Sequence, residues 1–142
     1  MNNKKKVYAV FLVVFLFGLL TACGSQGTTL TGADRDAVLA FSESKTDNLL
    51  AGMNAGDYAI FSADFDQDML AAMGQAEFDA LKADRDSKLG LYVSRQVNSV
   101  VQQGDFYVVL YDAKFEKEDA VTVRVVFRIA DPHLVSGLWF NK

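Results

Sequence analysis

Hydrophobic and polar residues follow two different periods along this chain, and the change of period divides it into two halves. From Asp34 the apolar residues recur every three or four positions, which predicts an amphipathic helix that ends near Gly56. A short helical stripe follows at residues 58–65, with one or two further turns before Gly74, and a third main pattern covers residues 75–89. The first half of the chain is therefore expected to form three main helices.

After residue 90 the hydrophobic period falls to two, which is typical of half-buried strands. The pattern predicts four strands, at residues 91–102, 106–115, 121–130 and 134–140. A charged hairpin loop is expected at residues 116–120. Helices first and antiparallel strands afterwards predict an α+β fold, in which the three helices pack on one face of a curved four-stranded sheet.

The N-terminus has the order of a secretory signal peptide. Three lysines at positions 4–6 precede a 14-residue, largely apolar run at residues 7–20, which is too short to remain in a bilayer as a permanent helix. The segment Leu20-Thr21-Ala22-Cys23 also resembles the lipobox of bacterial lipoproteins, in which the cysteine thiol receives a diacylglycerol and becomes the new N-terminus. This resemblance implies a membrane-bound lipoprotein that is anchored through Cys23 on the extracytoplasmic face.

Composition supports this interpretation and limits the partners. Cys23 is the only cysteine, so no internal disulfide can form. Removal of residues 1–22 would remove three of the 14 basic residues, leaving 11 against 18 acidic ones and a formal net charge of −7. Such a surface disfavours nucleic acid. Residues 23–32, after the predicted signal peptide, are small and polar and predict a flexible tether, which leaves residues 33–142 as one domain.

Several short segments together resemble the cone-shaped nuclear transport factor 2-like superfamily, which has a cystatin-like arrangement of helices and sheet. They are Gly56-Asp57-Tyr58, residues 61–65, Leu89-Gly90-Leu91-Tyr92 and Gly137-Leu138-Trp139-Phe140. The likeness covers about residues 34–140 and is greatest to branches of unknown function found in bacterial secreted proteins and lipoproteins. It implies an apolar pocket between sheet and helices, but no single activity and no catalytic residue.

Seven residues are the candidates for lining such a pocket. Six are aromatic residues that could belong either to the core or to a ligand cavity. The seventh, Arg95, would share a face with apolar residues under strict alternation. A bulge that turns it outward is the preferred expectation, and the alternative is an inward Arg95 that meets an acid such as Asp57 or Asp64. The candidates are Tyr58, Phe61, Tyr92, Arg95, Tyr107, Tyr111 and Trp139.

The remaining polar motifs predict no metal or cofactor site. Asp64, Asp66 and Asp68 resemble the start of a calcium loop, but the glycine and glutamate positions of that loop hold Met69 and Gln75. The acids are therefore expected to cap and solvate a corner between helices. The single histidine, His133, is expected to be an exposed residue in a turn.

These observations favour a non-catalytic lipoprotein domain that binds a small apolar ligand or an envelope protein. Two alternatives stay open. One is an isomerase- or lyase-like enzyme, in which Asp57, Asp64 or Asp112 converges with Tyr58 or Tyr111. The other is a self-associating module, such as a homodimer formed through the open sheet.

Overall fold

A computed structural model describes residues 26–142, so the predicted signal peptide and Cys23 lie outside the described residues. The chain is an α+β domain with an antiparallel five-stranded sheet. Its helices are α1 (Gly32–Ala55), α2 (Tyr58–Phe61), α3 (Gln67–Ala72) and α4 (Gln75–Lys88). Its strands are β1 (Thr28–Thr29), β2 (Tyr92–Gln103), β3 (Phe106–Phe115), β4 (Glu118–Arg128) and β5 (Val135–Asn141).

Local sequence determines where the helices begin and end. Gly56 closes α1 in a left-handed conformation with φ 70°, which a glycine adopts at no steric cost. The predicted stripe at residues 58–65 is helical only as far as Phe61. Asp66 then caps a separate helix, α3, by accepting a hydrogen bond from the backbone N–H of Met69 at 2.8 Å. The described region thus contains four helices rather than three, and two of them are short.

The sheet has the simple order β1-β2-β3-β4-β5, so β1 and β5 form its two edges. Successive strands run in opposite directions, which gives the sheet two ends. The β2–β3 end holds the turn at residues 104–105 and the loop at residues 129–134. The β3–β4 end holds the turn at residues 116–117, the beginning of β2 and the last residues of β5.

The fifth strand, β1, corrects the prediction of a flexible tether. Thr28 and Thr29 lie opposite Gln102 and Val101 of β2, although both were expected to be unstructured. The N–H of Leu30 donates to the carbonyl of Val100 at 2.8 Å, and the Leu30 side chain packs on the core. A strand needs backbone pairing more than it needs apolar side chains, so the composition of this segment did not reveal it.

The core lies between the inner face of the sheet and the helices. Alternate residues of β3 and β4 point into it, and the helices contribute Val38, Leu49, Met53, Phe61 and Phe78. Phe61 contacts Phe65 and Phe78 at ring-centroid distances of 5.0 and 4.7 Å, which joins α2 to α4 through aromatic packing. Among residues 26–142 no helix is both long and apolar enough to cross a membrane.

Candidate functional site

A groove with a largely apolar lining lies between α4 and β5. It has a volume of about 330 Å³ and lies towards the β3–β4 end of the sheet, where Leu89, Val121 and Asn141 line it. We call it the α4–β5 groove. Its apolar lining consists of Leu81, Leu89, Val121, Leu138, Trp139 and Phe140.

Strand register explains why β5 contributes apolar side chains to this groove. Leu138 and Phe140 lie opposite Val125 and Val123, both of which are fully buried on the inner face of β4. Residues opposite one another in an antiparallel pair share a face of the sheet. Leu138 and Phe140 therefore point towards the helices and form one wall of the groove.

The rim of the groove is charged, but its charges are largely paired. Lys88 contacts Asp84 at 2.8 Å across one turn of α4, and Lys142 contacts Glu118 at 3.2 Å. Paired and solvated rim charges of this kind contribute little binding energy. The apolar lining is therefore the part of the groove that could provide affinity.

Arg85 is one of the lining residues of the groove, and its polar contacts fix the position of α4. Its guanidinium is almost fully buried and donates to Oδ1 of Asn54 at 2.6 Å and to the carbonyl of Met53 at 3.2 Å. The same Asn54 side chain also bonds both the N–H and the carbonyl of Tyr92, at 3.0 and 2.9 Å. One amide thus links α1, α4 and the beginning of β2, a connection that the charged pattern of α4 did not predict.

A second polar cluster, centred on Arg95, lies between α1 and the part of β2 that is not paired with β1. The Arg95 side chain is only 8% exposed and contacts Asp47 at 2.6 Å and Glu43 at 3.3 Å. The guanidinium also lies 5.0 Å from the centre of the Tyr111 ring. The expectation that a bulge turns Arg95 outward is therefore wrong, and its acidic partners are on α1 rather than at positions 57 or 64.

Bulges do occur in β2, but they reorient other residues. The register shifts between Tyr92 and Ser94, after which Arg95 lies opposite the buried Ala113. Because of this shift, Tyr92 and Arg95 both face α1, while Val93 is left 61% exposed. The bulge turns Val93 to solvent and keeps the arginine inside.

Tyr111 completes the cluster as a buried hydrogen-bond donor. Its hydroxyl donates to Oε1 of Glu43 at 2.8 Å and lies 3.1 Å from the hydroxyl of Thr46. Burial raises the pKa of Tyr111, and the bond to Glu43 raises it further. For Arg95, burial alone would lower the pKa, but the bonds to Asp47 and Tyr92 and the charge of Glu43 raise it. Both groups therefore keep their protons at neutral pH.

The seven predicted pocket residues do not line one cavity. Tyr92, Arg95 and Tyr111 meet in the cluster just described, where the hydroxyl of Tyr92 accepts from Arg95 at 3.2 Å. Tyr58 and Phe61 belong to the packing beneath α2, and the Tyr58 hydroxyl donates to the carbonyl of Met73 at 2.8 Å.

The other two predicted residues lie elsewhere. Trp139 is among the residues that line the α4–β5 groove, although its ring stacks on the outer face of the sheet, where the guanidinium of Arg124 lies 4.7 Å from the centre of the indole. Tyr107 lines a more polar hollow of about 340 Å³ near β1, together with Leu30 and His133. His133 is half-buried and stacked on Phe41 at 4.0 Å, rather than exposed as expected.

The three acids at positions 64–68 form ion pairs and a helix cap. Asp64 contacts Lys45 at 3.2 Å, while Asp66 and Asp68 contact Arg128 at 2.7 and 2.8 Å. Within residues 26–142 no group of three or more His, Cys, Asp or Glu side chains could hold a metal ion. The predicted role of Asp66 as a cap at the corner between helices is confirmed.

The fold and these sites define a small α+β domain with a filled interior, an apolar groove on one side and a charged cluster on the other. A family described as "Protein of unknown function (DUF3887)" matches residues 46–131, which is more than half of the chain, and the chain belongs to this family. No curated protein and no solved structure matches it significantly.

Proposed function

We propose that this chain is an extracytoplasmic lipoprotein, anchored through Cys23, whose domain binds an apolar group in the α4–β5 groove without catalysing a reaction. The observation that carries the proposal is the groove itself. Its volume of about 330 Å³ lies at the lower end of the range for small-molecule sites, roughly 300 to 1,000 Å³. A small apolar ligand, or one or two apolar side chains of an envelope protein, would fit this space.

The one acid–tyrosine pair in the cluster supports binding over catalysis. Glu43 and Tyr111 are in hydrogen-bond contact, as an isomerase- or lyase-like site would require. However, Arg95 and Thr46 satisfy the same two groups, and neither Glu43 nor Tyr111 lines the α4–β5 groove. Asp112, a predicted alternative base, accepts hydrogen bonds from Asn98 instead. The pair therefore serves as a contact between α1 and the sheet.

The order of elements supports membership of the nuclear transport factor 2-like superfamily. Helices precede an antiparallel meander, and they pack on its inner face. In this chain, aromatic and branched side chains fill the space between sheet and helices, where the superfamily resemblance implied a pocket. The open apolar volume of this domain instead lies between α4 and the edge strand β5.

The anchor is tested by fractionating cells that express the wild-type chain or Cys23→Ala. Wild type is expected in the membrane fraction and resistant to release by salt, because two acyl chains anchor a protein stably. The Cys23→Ala protein should not be held in this way. Equal retention of both proteins would show that lipidation at Cys23 is not the anchor.

The groove is tested with an uncharged apolar fluorophore, N-phenyl-1-naphthylamine, and the soluble form that begins at Gln26. Leu81→Gln places an amide in the apolar lining and should weaken binding of the probe about tenfold. The matched control is Leu70→Gln, since Leu70 is a 45% exposed leucine on α3 outside the groove. If Leu81→Gln binds the probe as tightly as Leu70→Gln does, the groove is not the binding site.

A further inference from the structure

Strand β1 fixes the chain to one corner of the domain. Thr28 lies opposite Gln102, which places the N-terminal segment at the β2–β3 end of the sheet. The fit is close at Gly27, where a Cβ atom would be 2.3 Å from Cγ1 of Val101. Together with the backbone bond from Leu30 to Val100, these contacts hold residues 27–30 against the edge of β2.

The first residue that the structure describes, Gln26, is close in sequence to the predicted lipid anchor at Cys23. Gln26 is three residues after Cys23, and three residues span at most about 11 Å even when fully extended. A free tether through residue 32 would let the domain rotate at a greater distance from the membrane. Because β1 is paired, the β2–β3 end is instead kept within this short reach of the bilayer surface.

The α4–β5 groove lies at the opposite corner of the sheet. Its lining residues Leu89, Val121 and Asn141 are at the β3–β4 end, and β5 is the edge strand opposite β1. The ten residues of β3 separate the two ends by about 30 Å. Four interstrand spacings separate the two edges by a further distance of about 19 Å.

Surface charge disfavours an orientation in which a broad face of the domain lies on the membrane. After removal of residues 1–22 the formal net charge is −7, so a large contact area would be repelled by anionic headgroups. Asp105 and Asp131 are exposed at the β2–β3 end, so headgroup attraction does not create the contact there. The contact between this end and the membrane is instead imposed by the anchor at Cys23 and by the short segment that joins Cys23 to β1.

We propose that the domain stands on the bilayer with its β2–β3 end and presents the α4–β5 groove to the aqueous side. The inference rests on the lipidation of Cys23 proposed above. Its consequence concerns the source of the ligand. The groove takes an apolar group that is presented from the aqueous side, rather than an acyl chain drawn directly from the supporting membrane.

The orientation can be measured by energy transfer from a dye on the protein to labelled lipid headgroups. Lipidated Cys23 has no free thiol, so one introduced cysteine carries the dye. Asp105→Cys marks the β2–β3 end, and Asp119→Cys is its matched control near the β3–β4 end. Both sites are exposed, and both changes remove one negative charge. The full-length lipidated protein is added to vesicles of phosphatidylethanolamine and phosphatidylglycerol that contain a headgroup-linked acceptor.

The dye at residue 105 should be quenched several-fold more strongly than the dye at residue 119. Equal quenching, or stronger quenching at residue 119, would overturn the orientation while leaving the anchor intact. If the protein does not float with the vesicles and neither dye is quenched, the anchor itself is wrong and the orientation fails with it.

A second variant tests whether β1 sets the orientation. Gly27→Val should displace β1 from Val101 at the edge of β2, and because most of the core lies elsewhere the protein should remain folded and bound to vesicles. The quenching difference between the two dye positions should then decrease. An unchanged difference would overturn the role assigned to β1.

Discussion

Replacing Arg95 with leucine tests whether the cluster between α1 and β2 stabilises the domain. The change removes a guanidinium that contacts Asp47, Glu43 and the ring of Tyr111. It leaves an apolar side chain of moderate size on the inner face of β2. Two acids then lose their cationic partner, so the cost depends on how readily water can solvate them.

The expected loss is about 2 kcal/mol of unfolding free energy. Breaking a fully buried ion pair costs about 3 to 5 kcal/mol, because the remaining charge is stranded. Here the side chains of Glu43 and Asp47 are 43% and 65% exposed, so both can be rehydrated and the cost is reduced. For a domain of this size, a loss of about 2 kcal/mol lowers the melting temperature by about 8 °C.

Urea unfolding of wild type and Arg95→Leu measures the effect, and Arg124→Leu is the matched control. Arg124 also stacks on an aromatic ring, but it has no ion pair among the described residues, so its loss should cost less than about 1 kcal/mol. A double-mutant cycle with Asp47→Asn should give a coupling energy of about 1 kcal/mol. An Arg95→Leu protein within 0.5 kcal/mol of wild type, a value usual for surface changes, would refute the reasoning.

Two further substitutions test the helix cap and the added strand. Asp66→Ala should cost about 1 to 2 kcal/mol more than Asp66→Asn, because asparagine retains the capping oxygen. Burial alone would raise the pKa of Asp66, but hydrogen bonds from Ser136, Met69 and Arg128 hold it below 3.8. The advantage of wild type over Asp66→Asn should therefore be present above pH 3.8 and disappear as the pH falls through the lower folded-state pKa. Urea unfolding at pH 7 and pH 3 tests this, and equal losses at both values would contradict it. Leu30→Ala should lower stability by about 1 kcal/mol, whereas an unfolding free energy equal to wild type would show that β1 does not pack on the domain.

The sequence predicts the elements that are defined by periodic burial. Val121, Val123, Val125 and Phe127 occupy alternate positions of the predicted strand, and all four are buried in β4. Single helix-breaking residues are equally informative. Gly56, where the helix was predicted to end, closes α1 in the left-handed conformation that favours glycine. These features are local, so the nearest few residues are sufficient to determine them.

The positions of Arg95 and the groove could not be predicted in this way. The inward orientation of the Arg95 side chain depends on a register shift in β2 and on two acids about 50 positions earlier in the chain. Neither can be derived from alternation within one strand. The groove depends on the distance between α4 and β5, which is a property of the packed domain. Leu138 and Phe140 were predicted to lie in the last strand, but their place beside α4 required the assembled sheet.

The buried arginine of α4 connects one wall of the groove to the rest of the domain. Phe78 and Arg85 are the two residues of α4 that are buried, and Leu81 is partly buried against the core, so one hydrogen-bonded cation works beside two apolar side chains to attach the helix. The guanidinium donates a hydrogen bond to the side-chain oxygen of Asn54, which also accepts one from the backbone N–H of Tyr92 at the beginning of β2. Because hydrogen bonds are directional and short, this linkage sets the position of α4 more strictly than apolar packing would. The bond from Arg85 to Asn54 therefore ties α4, one wall of the groove, to α1 and β2.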